Sequence, residues 1–198
     1  MRFIGITGGV GAGKSKILSY LAGKPDTAVM LADEIAHELM EPGTECYQKI
    51  TETFGEEKIC LLKGGLDRRK LAEVIFSGEE NRRRMNGIVH PAVKEYVKKR
   101  AAAERERGAL KLLVLEAALL IEEHYDEICD ELWYIYAGED VRRERLMQSR
   151  GYSGEKVAQI FASQLGEEEY RNACRVVIDN NGSVEETFRQ IDEALERG

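Results

Sequence analysis

Residues 8–15 have the types and the spacing of a loop that binds phosphate. They read Gly-Gly-Val-Gly-Ala-Gly-Lys-Ser and follow an apolar run that ends at Thr7. Glycine accepts positive φ and has no Cβ, so consecutive backbone N–H groups can point at one anion. Lys14 would add a positive charge for the outer phosphates, and the Ser15 hydroxyl would hold a magnesium ion at the N-terminus of the next helix. The pattern predicts a nucleoside triphosphate site, and a glycine-rich turn without a ligand is the alternative.

Two carboxylates stand directly after predicted strands. Asp33 follows the strand 28–31 and begins a helix, where it would either cap the helix or accept a proton from an attacking hydroxyl. Glu116 ends the apolar run 112–115, where it would help to hold magnesium or the waters of the ion. A solvent-exposed strand end is the alternative for Glu116.

Four arginines occur in and after a helix near residue 145. For Arg142 and Arg143 we favour a solvated helix face, paired with nearby acids. Arg145 and Arg150 flank a transition to a glycine-containing loop, so they could approach a transferring phosphate as parts of a lid over about 139–165.

Further polar residues could contact a substrate. Arg68 and Arg69 would either anchor an anionic acceptor or form ordinary surface charge. His90 precedes a proline and is more often structural than catalytic in such a place. Asn180 begins a turn after the last strand, and its backbone or amide could contact an adenine.

Short β-type runs alternate with longer helical patterns. We predict strands over residues 2–7, 28–31, 111–115, 131–136 and 175–178. We predict helices over residues 13–22, 33–40, 44–53, 67–76, 79–88, 91–107, 140–148, 154–165 and 183–196. This alternation is typical of an α/β fold, with a five-stranded, mostly parallel sheet flanked by helices.

The simplest organisation is one domain over residues 1–198. Roughly eighty residues without a strand separate the second and third predicted strands. That stretch is too long for a simple crossover, so we predict a helical insertion over about 34–110.

Composition limits the possible partners and location. A net charge of −7 and a pI near 5.2 argue against nucleic acid or an anionic membrane as the main partner. The longest apolar stretch, 112–121, is too short to span a bilayer and contains Glu116. The four cysteines form no Cys-x-x-Cys pair, and we see no signal peptide, so the cytoplasm is the expected location.

The chain resembles the dephospho-CoA kinase family, a family of P-loop kinases, over nearly its full length. The Asp-x-x-Ala, His-Pro and Ile-Asp-Asn-Asn-Gly motifs together are more specific than the phosphate loop, which a whole superfamily shares. The family-like segments are 5–15, 32–39, 41–43, 66–71, 75–76, 85–91, 119–122, 145–146 and 177–182, with Arg150 and Gln164.

The resemblance implies transfer of the ATP γ-phosphoryl group to the ribose 3′-hydroxyl of dephospho-CoA with Mg²⁺. The catalytic residues would be Asp33 as the base, Lys14, and Arg145 in the lid. The ATP-binding residues would be Gly9, Gly11, Ala12, Gly13, Lys14, Ser15, Lys16, Arg150 and Asn180. The insertion would bind the acceptor, with contacts from Asp33, His37, Arg68, Arg69, His90 and Glu116. Ser15 and Glu116 would bind the metal, directly or through water; a monomer is expected, and an oligomer stays open.

Three positions depart from the family pattern. Leu31 replaces the acid usually found two positions before Asp33, so any metal or orienting role of that acid is lost. His37 replaces a frequent arginine, which makes the charge there depend on pH. Ala118 replaces the proline of the family's Pro-Leu-Leu-Phe-Glu motif, and this affects an acceptor contact.

Two other functions are alternatives to the kinase activity that the resemblance implies. A nucleoside monophosphate kinase, or another P-loop kinase of small molecules, could use Arg68 and Arg69 to bind an acceptor phosphate. A regulatory ATPase would need a residue that positions water rather than a base for a hydroxyl, and it would usually expose a large partner surface.

Overall fold

The structure is a computed structural model that describes residues 1–57, 59–61 and 64–197. The strands in these residues are β1 (Arg2–Thr7), β2 (Thr27–Leu31), β3 (Leu112–Glu116), β4 (Glu131–Tyr136) and β5 (Val176–Asp179). The α-helices in the same residues are α1 (Lys14–Ala22), α2 (Ala32–Leu39), α3 (Glu45–Phe54), α4 (Arg68–Phe76), α5 (Glu79–Arg107), α6 (Glu139–Arg150), α7 (Gly154–Ala162), α8 (Glu167–Ala173) and α9 (Val184–Glu196).

The strands form one sheet in the order β2-β3-β1-β4-β5. β1 pairs in parallel with β3 and β4, and β4 pairs in parallel with β5. Residues 112–115 of β3 and 132–135 of β4 are buried, because strands covered by helices on both faces need apolar side chains throughout. The α/β class and the mostly parallel five-stranded sheet are confirmed.

The order of the strands determines where a ligand would bind. β1 lies between β3 and β4, so the direction of the chain across the sheet reverses there. In open α/β sheets, ligands bind beyond the carboxyl ends of the strands at such a reversal. The loop of residues 8–13 follows β1 at this point.

Helix α5 is continuous from Glu79 to Arg107, although we predicted two helices that meet at Pro91. A proline inside a helix removes one backbone hydrogen bond and costs about 3 kcal/mol. Side chains at four-residue spacing are buried on both sides of it: Met85, Val89, Val93, Val97 and Ala101. Packing of this apolar stripe, at about 1.5–3 kcal/mol for each large apolar side chain, outweighs the proline.

Helix α8 was missed because its sequence is short and strongly charged. The Glu169 side chain accepts a hydrogen bond from the backbone N–H of Gly166 at 2.8 Å, which satisfies one donor before the first turn. The buried Tyr170 stacks on Tyr134 of β4, with ring centroids 4.7 Å apart. Tertiary packing of one aromatic residue thus stabilises a helix that has little apolar periodicity of its own.

The chain divides into two compact units. The first comprises Met1–Met30 and the residues from Glu104 onward, and the second comprises Leu31–Ala103. No helix among the described residues is long and apolar enough to cross a membrane.

Candidate active site

The phosphate loop after β1 has the backbone that its glycines were predicted to provide. Gly8, Gly11 and Gly13 have φ values of 146°, 86° and 89°. A Cβ on Gly8 would lie 2.5 Å from the Ile135 carbonyl oxygen, and one on Gly13 would lie 2.3 Å from the Asn180 amide nitrogen. Both the dihedral angles and the close neighbours therefore require glycine at these positions.

Lys14 is held at the base of this loop. Its Nζ donates a hydrogen bond to the Gly8 carbonyl oxygen at 2.6 Å and lies 3.6 Å from Glu116 Oε1. The two charged side chains are only 15% and 18% exposed. β1 and β3 are paired so that Ile6 lies opposite Glu116, and this register brings the carboxylate to the start of the loop.

The environment of Lys14 changes its pKa. Burial lowers the pKa of Lys14, and the positive charges of Arg142 and Arg150 act in the same direction. The attraction of Glu116 opposes this shift. Glu116 therefore helps to keep Lys14 protonated, and it is not simply an exposed strand end.

Ser15 and Glu116 fit a magnesium ion that is shared with a nucleotide. Ser15 is exposed in the first turn of α1, while Glu116 is partly buried at the end of β3. Clusters of three or more His, Cys, Asp or Glu that could hold a metal are absent from the described residues. A hydroxyl and one carboxylate are oxygen ligands of the kind that Mg²⁺ takes alongside nucleotide phosphates and waters.

Arg145 and Asn180 support the far end of the loop. Arg145 donates hydrogen bonds to the Asn180 carbonyl oxygen at 2.8 Å and to the Ala12 carbonyl oxygen at 3.5 Å. The Asn180 amide donates to the same Ala12 oxygen at 2.7 Å, and its Oδ1 accepts a hydrogen bond from Thr187 at 2.9 Å. Arg145 thus lies at the phosphate loop, and the predicted contact of Asn180 with adenine stays a prediction.

Arg142 was wrongly assigned to a solvated face. Its guanidinium is partly buried, donates to the Val10 carbonyl oxygen at 3.0 Å, and lies 2.5 Å from Gln164 Oε1. Arg143 does pair with Glu139, at 2.6 Å, as predicted. The missed signal was helical spacing, because Arg142 and Arg145 are three residues apart and share one face of α6.

Alternate carbonyl groups of the loop accept hydrogen bonds from three cations. The oxygens of Gly8, Val10 and Ala12 accept from Lys14, Arg142 and Arg145, respectively. Two other residues assigned to ATP are exposed, Lys16 on α1 and Arg150 at the end of α6.

A cavity of about 440 Å³ lies within the second unit. His37, Glu41 and Arg68 line it together with apolar side chains that include Phe76, which is 80% exposed. The remaining lining residues are Met40, Leu61, Gly64, Gly65, Leu66, Leu71, Ala72, Ile75 and Met85. The structure therefore brings His37 and Arg68 together.

The other two residues assigned to the acceptor from the insertion lie elsewhere. Arg69 pairs with Glu73 on the surface of α4, at 3.2 Å, and is not part of the cavity lining. His90 is partly buried in α5.

Asp33 is the second residue of α2, directly after β2, and is exposed. The N-cap of α2 is Leu31, which makes no side-chain capping bond. The alternative in which Asp33 is the helix cap is therefore wrong, and its carboxylate is available for another role.

Comparisons with known proteins identify the family. The dephospho-CoA kinase family model matches residues 2–186. The chain belongs to the dephospho-CoA kinase family. A dephospho-CoA kinase from Shouchella clausii is 36% identical over 97% of this chain and 96% of its own length. One from Geobacter sulfurreducens is 37% identical over 98% and 96% of the two chains.

The solved structures agree with this fold. The Thermus thermophilus protein TT1252 is 30% identical and has a TM-score of 0.76, with 99% of this chain and 97% of that chain covered. As a dephospho-CoA kinase, the chain is a transferase that phosphorylates an alcohol group with ATP in the final step of coenzyme A biosynthesis. The predicted family and function are confirmed.

The pair of Lys14 and Glu116 leads to a prediction about pH. Glu116→Gln removes the charge that raises the pKa of Lys14, so that pKa falls further. We expect nucleotide binding to depend on protonated Lys14, so in this variant binding should weaken at a lower pH than in the wild type. ADP affinity, titrated across the alkaline range without magnesium, measures this change. Glu106→Gln, which alters an exposed acid of α5, is the control; the same alkaline limit in all three proteins would contradict the prediction.

Proposed function

We propose that the phosphate loop binds ATP and that Lys14, Asp33 and Arg145 promote transfer of the γ-phosphoryl group to the ribose 3′-hydroxyl of dephospho-CoA. The supporting observation is the placement of Lys14 between the Gly8 carbonyl oxygen and Glu116, at 2.6 Å and 3.6 Å. A partly buried ammonium that is fixed in advance stabilises charge on a transferring phosphoryl group better than a solvated one does.

Asp33 is the proposed general base. Its carboxylate accepts the proton of the 3′-hydroxyl as that oxygen forms a bond to the γ-phosphorus, and the bond to the leaving ADP oxygen breaks. The exposed position of Asp33 in the first turn after β2 supports this role. Because Leu31 caps α2 without a side-chain bond, Asp33 can act as a base without the helix losing its cap.

Arg145 is the proposed second cation for the transferring group. A guanidinium has five N–H donors, so its two hydrogen bonds to the Asn180 and Ala12 carbonyl oxygens do not use all of them. The other ATP ligands stay as predicted: Gly9, Gly11, Ala12, Gly13, Ser15 and Lys16 of the loop and helix α1, with Arg150 and Asn180.

We propose that Mg²⁺ accompanies the nucleotide. The Ser15 hydroxyl and the Glu116 carboxylate would hold it, directly or through water, and the ion would offset the negative charge of the phosphates. The partial burial of Glu116 beside the loop supports its part in this site.

The cavity of the second unit suits the pantetheine-bearing part of the acceptor. Its volume of about 440 Å³ is in the usual range for small-molecule sites, and its walls are apolar with a few polar groups. Arg68 and His37 could contact anionic or amide groups there. His90 stays a predicted acceptor contact, whereas for Arg69, which pairs with Glu73 outside the lining, we favour the alternative of ordinary surface charge.

We further propose a monomer in the cytoplasm. All four cysteines, Cys46, Cys60, Cys129 and Cys174, are free thiols. Burial raises the pKa values of Cys129 and Cys174 to about 12. These are properties of structural cysteines in a reducing compartment.

A comparison of acceptors tests the proposed function. Phosphate transfer from ATP is measured with dephospho-CoA, AMP, CMP and shikimate at equal concentrations. We expect the highest kcat/KM with dephospho-CoA. A preference for one of the other three acceptors, or ATP hydrolysis that no acceptor accelerates, would refute the proposal.

The role of Asp33 leads to a second prediction. Asp33→Asn should lower kcat by on the order of 10²-fold or more, because an amide cannot accept the hydroxyl proton, whereas the affinity for ATP should stay near normal. Glu34→Gln, a change at the adjacent exposed acid of the same turn, is the matched control and should retain its turnover. Normal kcat in Asp33→Asn would exclude Asp33 as the base.

The cavity leads to a third prediction, for which two neighbouring arginines serve as variant and control. Arg68→Ala should raise the KM of dephospho-CoA by about tenfold, the effect of one lost charge-assisted hydrogen bond, and leave the KM of ATP unchanged. Arg69→Ala should change neither value, because Arg69 pairs with Glu73 outside the cavity lining. Equal effects of the two substitutions would show that the cavity does not bind the acceptor.

A further inference from the structure

Arg142 and Gln164 bind both polar backbone groups of Val10. The Val10 carbonyl oxygen accepts a hydrogen bond from Arg142 Nε at 3.0 Å. The Val10 N–H donates to Gln164 Oε1 at 3.3 Å, and the same oxygen accepts from the Arg142 guanidinium at 2.5 Å. We call these three residues the Val10 clamp.

An aromatic ring supports the clamp. The Arg142 guanidinium carbon lies over the Phe161 ring, 4.3 Å from its centroid, so a cation–π contact adds to the hydrogen bonds. Arg142 also approaches the loop closely, since a Cβ on Gly9 would lie 2.3 Å from its guanidinium carbon. The side chain thus lies directly against the loop.

The hydrogen-bond partners of Arg142 are uncharged. The described residues place no carboxylate oxygen within 4.0 Å of its guanidinium, and its acceptors are a carbonyl and an amide. Burial lowers the pKa of Arg142 below its ordinary value, and its charge influences Lys14. A positive charge whose hydrogen-bond acceptors are uncharged favours an anionic ligand beside the loop.

We infer that Arg142, assisted by Gln164, is a positioning residue for the nucleotide: it fixes the backbone of Val10 in the phosphate-binding conformation and contributes positive charge to the site. Arg142 belongs to α6 and Gln164 follows α7. The geometry of the phosphate loop therefore depends on α6, the helix that also carries Arg145. Loss of the clamp weakens the affinity for the nucleotide even when no acceptor is present. This inference rests on the proposed binding of ATP at the loop.

The test compares Arg142→Ala with Arg143→Ala. Arg143 is adjacent on α6, lies over the same Phe161 ring at 5.6 Å and pairs with Glu139, but among the described residues it makes no hydrogen bond to the loop. Titration calorimetry with ADP alone gives the Kd, and steady-state kinetics give the two KM values. We expect Arg142→Ala to raise the Kd of ADP by about tenfold, with the KM of dephospho-CoA within about twofold of the wild type, and Arg143→Ala to change the Kd by less than about twofold.

Two substitutions of Gln164 distinguish the positioning of the Val10 backbone from the contribution of the Arg142 charge. Gln164→Leu removes the oxygen that accepts from Val10 N–H and from Arg142, so it should raise the Kd of ADP. In the double variant with Arg142→Ala, the fold increase in Kd should be smaller than the product of the two single fold increases. Gln164→Glu retains an acceptor oxygen but neutralises Arg142, so it should also raise the Kd, and more strongly at low salt. A wild-type Kd in Gln164→Glu would refute the contribution of charge.

Arg142→Lys keeps the inference testable if Arg142→Ala does not fold. Lysine can donate to the Val10 oxygen but cannot form the planar bridge to Gln164, so we expect an intermediate Kd. Equal Kd values for the Arg142 and Arg143 variants, or fully multiplicative effects of the Arg142 and Gln164 substitutions, would overturn the inference. Because ADP binding involves no acceptor, these results are independent of whether dephospho-CoA is the substrate.

Discussion

The structure depends on bringing positive charge to a backbone loop through carbonyl groups, which do not neutralise it. The chain has a net charge of −7, yet Lys14, Arg142 and Arg145 all lie against residues 8–13. Their hydrogen-bond acceptors in the loop are the carbonyl oxygens of Gly8, Val10 and Ala12. A carbonyl satisfies an N–H donor but carries no net charge, so the cations remain available for phosphate.

The three cations come from two helices, and the sheet brings these helices to the loop. β1 presents the loop, α1 begins with Lys14, and α6 supplies both arginines on one face. The register of β1 with β3 sets Glu116 opposite Ile6, where it raises the pKa of Lys14 against the effect of burial. The same carboxylate that supports the charge of Lys14 is the one we propose as a ligand of the metal ion.

The sequence allowed most of the fold and part of the site to be predicted. Strands and helices with clear apolar periodicity were found within a few residues, because burial on one or two faces determines that periodicity. Helix α8 and the continuity of α5 were missed, since Tyr170 packs on Tyr134 and a buried stripe spans Pro91. The first contact joins residues that are distant in sequence, and the second outweighs the helix-breaking effect of the proline.

By itself, the sequence determined that the chain binds phosphate and belongs to a kinase family, because the loop motif needs only local residue order and a strand before it. Only the tertiary structure decided which arginines reach that loop. Arg142 and Arg143 are adjacent and chemically identical, but the rotation of about 100° per helical residue turns one towards Val10 and the other towards Glu139. Which face of α6 meets the loop depends on how the helix packs on the sheet, and residue order alone does not specify that.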